Sequence, residues 1–463
     1  GYPQMNCKKD CCKDAWVNAE LQRTTSCLAI VDPISKEQWI IDATPNIKEQ
    51  LQLLKQKTGT EKLDGILLTH AHMGHYTGLM HFGREVMGTD NLPVFAMPKM
   101  KTFLEENGPW SQLVDLENIN IVILGVLENR NDVNYIGEDF NLNEIRKSLY
   151  SLFPGSWSTN IADLGDIQKG ESVEDTYFAL KETLSILIQK RIIPIIIGGS
   201  QDLTYANYRA YDSLMPMVNV VNVDRAFDLG DSAKPIKNNS FLGKVIIDQP
   251  YNLFNYAAIG YQTYFNSQEE IDLMERLHFE SYRLGEVSND ITLVEPVMRD
   301  ANIVSVDLGV LKAAEVSLRQ KVSPNGLDGK EICAVSRYAG ISNKVSSFGI
   351  YEYKPSTDDE ITSMLISQMI WYFIEGVNCR VQDDNFADDK SHQKFITLAD
   401  SHELIFYKSV KTGRWWIEIP FLSNVNNKLK RRTLLPCTYG EYLGATNQEI
   451  PERWYKARRK NEV

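Results

Sequence analysis

Residues 192–202 read Ile-Ile-Pro-Ile-Ile-Ile-Gly-Gly-Ser-Gln-Asp, an apolar run that ends in two glycines and three polar residues. A run of this length is too short to span a membrane and is typical of a strand buried on both faces of a parallel sheet. The polar residues after it, with Gln201 at their centre, then lie at the carboxyl edge of the sheet. Ligand sites of open α/β sheets lie at that edge.

Apolar strands alternate with amphipathic helices from Ile119 to Gly376. The predicted strands are Ile119–Val126, Ile193–Gly198, Val218–Asp224, Ala257–Tyr261, Asn302–Val310 and Val345–Tyr351. The predicted helices are Leu142–Phe153, Val173–Lys190, Leu203–Leu214, Glu269–Leu277, Thr292–Arg299, Gly329–Ala339 and Glu360–Gly376. This order predicts an α/β fold with a parallel sheet and helices on both faces.

Polar stretches divide this region and end it. Residues 229–240 and 380–392 are rich in polar residues and predict surface loops. Two further strands and the turn Lys411–Gly413 then predict a C-terminal β-hairpin. A basic tail follows, with nine Lys and Arg against four Glu from Lys428 onward. The tail is read as a solvated segment or, alternatively, as a dock for an acidic protein partner through Lys428, Lys430, Arg431 and Arg432.

Composition narrows the function classes. The chain has 463 residues, 43% of them hydrophobic, and a net charge of -12, so we expect about three structural units and no nucleic-acid partner. Its longest apolar runs are too short for a membrane span. Seven cysteines do not make a disulfide framework, so we expect a cytoplasmic protein. The first residue is Gly1 rather than Met, which leaves open a leader that has been removed. We also expect an oligomer.

Three of the seven histidines lie within six residues, as His70, His72 and His75 after the apolar strand Leu63–Thr69. Imidazoles at this spacing on a loop can converge on one zinc ion. The alternative is a set of hydrogen-bonded loop histidines. Cys7, Cys11 and Cys12 are a second group of potential zinc ligands, although free or oxidised thiols fit their spacing better.

The histidine pattern resembles the metallo-β-lactamase superfamily, whose signature is His-x-His-x-Asp-His after a strand. The flanking residues 1–4, 42–45 and 108–113 resemble the branch around coenzyme-PQQ biosynthesis protein B. The resemblance covers residues 1–118 and implies zinc ligands at His70, His72 and His75. Gly74 stands where the signature has Asp, and the second half of the fold has no counterpart here. We therefore expect a partial domain with at most one zinc, joined to the rest near Leu116–Asn120 as a natural fusion or as two joined proteins.

Acidic residues end several of the predicted strands of the α/β region. Asp224 and Asp228 follow one strand, Asp307 ends another and Glu352 follows a third, while Gln201 follows residues 193–198. Because parallel strands end at one edge, these side chains are expected to converge and to suit a hard divalent cation. The alternative is a set of hydrogen-bonded loop residues, with Arg225 as a partner.

The strand-end motifs of residues 119–378 resemble the ureohydrolase superfamily of arginase, agmatinase and formimidoylglutamase. That resemblance implies two manganese ions and a catalytic role for Asp228 and Glu352. Gln201, Ala226 and Gly309 stand where the family has two His and one Asp ligand. The remaining ligands would be Asp224, Asp228 and Asp307, with the Gln201 carbonyl, for one Mn²⁺, Mg²⁺ or Ca²⁺ or for no metal at all.

These observations predict three segments: a partial metallo-β-lactamase-like segment (1–118), an arginase-like α/β domain (119–378), and a C-terminal hairpin with a basic tail (379–463). The leading hypothesis is a degenerate ureohydrolase homologue with weak or no hydrolase activity that acts as a binding or scaffold module. The alternative is an active metal-dependent hydrolase, which cleaves amidino or formimino C–N bonds at the Asp cluster or uses zinc at the His cluster.

Overall fold

The computed structural model divides into two compact units, Gly1–Ile119 and Asn120–Val463. The structure describes residues 2–83, 86–89, 92–108, 110, 119–137, 140–157, 159–231, 233–317, 323–354, 360–383, 386, 391–420 and 433–462. Within them, no helix has both the length and the apolar content needed to cross a bilayer. The junction predicted near residues 116–120 lies mostly outside the described residues.

The first unit is a small four-stranded sheet with helices. Its strands, in the order β1-β2-β3-β4, are β1 (Leu28–Val31), β2 (Gln38–Ile41), β3 (Gly65–Leu67) and β4 (Val94–Phe95). Its helices are α1 (Asp10–Val17), α2 (Ile47–Thr58), α3 (Met73–Tyr76) and α4 (Pro98–Glu106). The apolar residues Ile40, Ile66 and Ile47 are buried between the sheet and α2, so this unit has a core of its own.

The second unit is built on the predicted parallel sheet. The sheet has eight strands in the order β10-β9-β8-β11-β12-β7-β5-β6. They are β5 (Ile119–Val126), β6 (Asn160–Ile167), β7 (Ile193–Gly198), β8 (Val218–Val223), β9 (Leu253–Tyr261), β10 (Glu280–Arg283), β11 (Ile303–Asp307) and β12 (Ser347–Tyr351). All six residues of β7 are buried, as its apolar sequence predicts. The edge strands β6 and β10 were not predicted, because they are short or half-polar.

Helices cover both faces of this sheet. They are α5 (Asn143–Ser151), α6 (Val173–Gln189), α7 (Leu203–Arg209), α8 (Phe241–Ile247), α9 (Gln268–Arg276), α10 (Leu284–Asn289), α11 (Val294–Asp300), α12 (Gly329–Ile341) and α13 (Glu360–Asn378). Two separate apolar clusters result: one includes Phe348 with Phe373 of α13, the other includes Ile196 with Tyr208 of α7. The predicted α/β fold is confirmed.

The stretch 229–240 was predicted to be a surface loop, but parts of it are buried. Leu229 is 4% exposed and Asn238 is 1% exposed, so both ends of this polar stretch are inside the protein. The backbone N–H of Asn238 donates to the Asn131 carbonyl, and Asn131 follows β5. Tertiary packing therefore brings a residue from a polar loop to the carboxyl edge of the sheet.

The C-terminal part contains the predicted hairpin within a larger antiparallel sheet. Its strands, in sequential order, are β13 (His392–Ala399), β14 (His402–Ser409), β15 (Trp415–Ile419) and β16 (Thr433–Cys437), and two helices follow, α14 (Tyr439–Thr446) and α15 (Glu452–Glu462). Gly413, with φ +75°, lies in the turn between β14 and β15. The described part of the basic tail is thus folded rather than a solvated segment, because Trp454 of α15 is 1% exposed.

Candidate functional site

Four neighbouring strands of the large sheet, β8, β11, β12 and β7, end in the residues that the sequence singled out. Oxygen atoms of Asp224, Asp228 and Asp307 all lie within 4.8 Å of one another. The three residues are 2%, 9% and 5% exposed. The predicted convergence of these carboxylates is therefore present, in a setting shielded from water.

Backbone N–H groups stabilise two of these carboxylates. Asp224 Oδ1 accepts from the N–H of Ala226 at 3.2 Å, and Asp307 Oδ1 accepts from the N–H of Gly309 at 2.5 Å. Three buried carboxylates at this separation repel one another unless a cation or a donor lies between them. Burial raises the pKa of the Tyr256 hydroxyl well above its usual value, and the negative charges of Asp228 and Asp224 raise it further.

The side-chain amide of Gln201 faces the three aspartates. One end of the amide lies 3.1 Å from Asp307 Oδ2, 3.1 Å from Asp224 Oδ2 and 2.9 Å from Asp228 Oδ2. The other end lies 2.8 Å from Asn222 Oδ1. Gln201 is fully buried, so this arrangement is set by packing and not by solvent.

The side-chain amide of Gln201 can face the aspartates with its nitrogen or with its oxygen. With its nitrogen toward the aspartates, Gln201 donates N–H groups to their carboxylates. With its oxygen toward them, four oxygens surround one point. An octahedral cation with bonds of about 2.1 Å holds neighbouring oxygens about 3 Å apart. The observed spacing of 2.9 to 3.1 Å suits amide hydrogen bonds as well as that second arrangement, so the residues present also fit a hard divalent cation.

Glu352 lies beside this cluster and is held by several donors. Its φ of +65° is the left-handed conformation, which is uncommon outside glycine. Glu352 Oε1 accepts from the N–H of Gln201 at 3.0 Å and from Asn238 Nδ2 at 2.8 Å, while Oε2 accepts from Lys354 Nζ at 2.7 Å. The same Lys354 ammonium also pairs with Asp132. A carboxylate, an amide and an ammonium thus form one buried network with Glu352.

Sequence reasoning missed Lys354, Asp132, Asn238 and Asp202. Lys354 carried a visible signal, since it is a charged residue only two positions after Glu352. Asp202 is fully buried, accepts from the Tyr177 hydroxyl, and has a pKa raised to about 6 by burial. The alternative partner Arg225 has its guanidinium 4.6 Å from the centre of the Phe265 ring.

The histidine cluster of the first unit is exposed and partly oriented. His70 Nε2 lies 3.1 Å from His72 Nδ1, and His75 Nδ1 lies 2.7 Å from Asp42 Oδ2. Asp42 follows β2 and also accepts from the backbone N–H of Thr69 at 2.8 Å, so it orients the His75 ring from the end of the strand beside β3. Among the described residues, the groups whose ligand atoms all lie within 4.8 Å of one another are the three aspartates and Cys7, Cys11 and Cys12. The histidines do not form such a group.

The basic residues predicted to bind a partner, Lys428, Lys430, Arg431 and Arg432, lie outside the described residues. Other basic residues of the C-terminal part have internal partners. Arg453 is 8% exposed and its Nε lies 2.6 Å from Glu280 Oε2 of β10. This buried ion pair joins α15 to the edge of the large sheet.

Two formimidoylglutamases are among the proteins whose sequences are similar to this chain. Formimidoylglutamase from Streptococcus gordonii is 24% identical over 312 residues, which covers 62% of this chain and 92% of that protein. Formimidoylglutamase from Macrococcus caseolyticus is 24% identical over 237 residues, with 49% of this chain and 75% of that protein covered.

Solved structures share the fold. Trypanosoma cruzi formiminoglutamase with Mn²⁺ matches with a TM-score of 0.50 and 19% identity, over 57% of this chain and 95% of that one. Formimidoylglutamase from Bacillus subtilis matches with a TM-score of 0.51 and 18% identity, over 57% and 88% of the two chains. At these identities the likeness concerns the arginase fold alone.

Two family models match the sequence. The beta-lactamase superfamily domain matches residues 38–136, which confirms the resemblance of the N-terminal segment. The model of the arginase family matches residues 119–375 and so covers the whole parallel sheet and the aspartate cluster. Because this match spans more than half of the chain, the protein belongs to the arginase family.

Proposed function

We propose that residues 119–378 are a one-metal, formimidoylglutamase-like domain of the arginase family, with weak or absent hydrolase activity and a binding role. The observation that carries this proposal is the amide of Gln201, one end of which lies 2.9 to 3.1 Å from an oxygen of Asp224, Asp228 and Asp307. With the amide oxygen toward the aspartates, this donor set is all-oxygen and suits Mn²⁺, Mg²⁺ or Ca²⁺.

A second metal lacks ligands of its own in this proposal. Ala226 and Gly309 occupy the two positions that the resemblance assigns to the private ligands of a second ion. Neither residue has a side chain that can bind a metal. A pair of metal ions, when bound, supplies a nucleophile of low pKa at neutral pH, and one ion supplies it less effectively.

The protein groups around the cluster support binding more than turnover. The Asp224, Asp228 and Asp307 carboxylates and the Gln201 amide would hold the cation. The Glu352 carboxylate already accepts from three donors of the protein, so a substrate group would compete with them for its oxygens. An amidino or formimino compound is the substrate class that the resemblance offers.

A zinc-dependent hydrolase in the first unit is the second candidate. Its support is the hydrogen bond between His75 and Asp42, because a carboxylate that orients the second ring nitrogen is typical of metal-binding histidines. Three further statements remain proposals. They are zinc binding by the thiols of Cys7, Cys11 and Cys12, a protein partner for the basic tail, and the division of the chain into segments 1–118, 119–378 and 379–463.

The test of the first proposal measures metal content and turnover in the full chain. Purified protein is loaded with Mn²⁺, the bound metal is counted, and release of glutamate from N-formimidoyl-L-glutamate is followed. Formimidoylglutamase from Streptococcus gordonii is the positive control. We expect one Mn²⁺ at the Asp cluster and turnover far below the control. Two Mn²⁺ ions with turnover equal to the control would mean that the protein is an active enzyme.

A further inference from the structure

Lys354 places a positive charge between two buried carboxylates next to the metal centre. Its Nζ lies 2.7 Å from Glu352 Oε2 and also forms an ion pair with Asp132. The side chains of Glu352 and Asp132 are each 3% exposed, and that of Lys354 is 15% exposed. The ammonium is therefore the more accessible member of this group.

Asn238 joins the same two carboxylates from the other side. Its Nδ2 donates to Asp132 Oδ1 at 3.1 Å and to Glu352 Oε1 at 2.8 Å. Asn238 carries no charge, so in the part of the chain that the structure describes the positive charge seen in contact with both carboxylates is that of Lys354. Because Glu352 Oε1 also accepts from the N–H of Gln201, the network is one residue removed from the three aspartates.

An amidinium or guanidinium group binds carboxylates through the same interactions as this ammonium. It carries a positive charge and donates N–H bonds to a carboxylate, often two in parallel. A ligand of that class that pairs with Glu352 Oε2 would place its positive charge close to the Lys354 Nζ, which lies 2.7 Å from the same oxygen. The two cations disfavour each other there, because their charges repel and the carboxylate oxygen is shared.

We propose that Lys354 is a specificity-determining residue, which excludes cationic amidino and guanidino ligands from the Glu352–Asp132 pair and restricts the site to ligands without such a group. This inference rests on the proposed function, since it takes Glu352 to face the ligand of the metal centre. It deepens that proposal, because the chain would lack both a second metal and a free carboxylate for a cationic substrate.

The test compares the binding of agmatine, a guanidino cation, by titration calorimetry at low salt. The full-length Lys354→Met variant removes the charge and keeps most of the apolar stem. The control is Lys344→Met, which makes the same chemical change at a surface ion pair with Asp300. Agmatine is expected to bind Lys354→Met about tenfold or more tightly than the wild type or the control, because two buried carboxylates then lack a cation. Equal affinity in all three proteins would overturn the proposal.

A second variant and a second titration keep the outcome readable. Lys354→Arg retains the charge and should bind agmatine as weakly as the wild type; tight binding by this variant would also contradict the proposal. If Lys354→Met does not fold, as judged by circular dichroism, Lys354→Gln replaces it. Mn²⁺ is titrated separately into every variant. If the wild type does not bind Mn²⁺, the proposed function is wrong. If Lys354→Met binds agmatine no more tightly than the wild type, the role proposed for Lys354 is wrong.

Discussion

The backbone N–H of Gln201 donates to Glu352 Oε1 at 3.0 Å, although 151 residues separate the two in the sequence. The side chain of the same glutamine faces Asp224, Asp228 and Asp307. One residue therefore connects the aspartate cluster to the network of Glu352, Lys354 and Asp132.

Replacing Asp224 with Asn should abolish binding of Mn²⁺ by the second unit. The variant removes one charged ligand from a set of three carboxylates and one amide, and hard cations depend on ligand charge for affinity. The measurement is Mn²⁺ stoichiometry by mass spectrometry of the intact full chain. Asp231→Asn, in an exposed loop, is the control and should bind Mn²⁺ like the wild type. Unchanged binding by Asp224→Asn would place the metal elsewhere.

Replacing Asp202 with Asn should stabilise the protein at neutral pH. Burial raises the pKa of Asp202 to about 6 from an ordinary value of 3.8, so the folded state holds its proton more tightly than the unfolded state. This group therefore lowers stability as pH rises from about 4 to 6, and the whole penalty, at most about 3 kcal/mol, is present above that range.

Scanning calorimetry of the full chain at pH 7.5 and pH 4 checks this. The gain in Tm for Asp202→Asn over the wild type should be present at pH 7.5 and largely lost at pH 4. A gain of equal size at both pH values would mean that the effect is packing and not ionisation. Asp231→Asn again serves as the control, since Asp231 is exposed.

Replacing Arg453 with Met should destabilise the second unit by about 3–5 kcal/mol, because it leaves the Glu280 carboxylate buried without its cation. Burial alone would raise the pKa of Glu280, but the Arg453 charge outweighs burial and holds it at about 2. The pair therefore contributes stability that is present above about pH 4.5 and is lost as pH falls toward 2. Denaturant unfolding of the full chain measures the change.

The double variant Arg453→Met with Glu280→Gln is the matched comparison. Because it removes both charges, it should recover part of the stability that Arg453→Met alone loses. If the double variant is as unstable as the single one, the cost arises from lost packing of α15 and not from an unpaired charge.

The first unit should bind at most one zinc at its histidines. Gly74 removes the carboxylate expected for a second ion, and Asp42 orients the ring of His75. We expect the full chain to lose that zinc in the His72→Ala variant, while Cys12→Ser reports separately on the thiol group. The count is made by inductively coupled plasma mass spectrometry. A loss of two zinc ions in His72→Ala would contradict the prediction.

Periodicity and strand-end chemistry were enough to predict the main sheet. Strands such as β5 and β7 are nearly continuous apolar runs, because both of their faces are covered by helices, and this signal survives without any tertiary information. The edge strands β6 and β10 carry weaker patterns, since one side of an edge strand faces solvent. The short helix α8 follows a polar stretch and has only seven residues, too few to show a helical period in the sequence.

The α/β architecture and the meeting of Asp224, Asp228 and Asp307 could be predicted from the amino-acid sequence, because parallel strands end at one edge of a sheet. The residues around these three aspartates come from distant parts of the chain and are known only from the folded structure. Asn238 comes from a polar loop, Asp132 from the segment after β5, and Lys354 from the residues after β12. Lys354 is a neighbour of Glu352 in the chain, but the contacts of Asn238 and Asp132 depend on loop paths that no local pattern encodes, so their place in this network could not be predicted from the sequence.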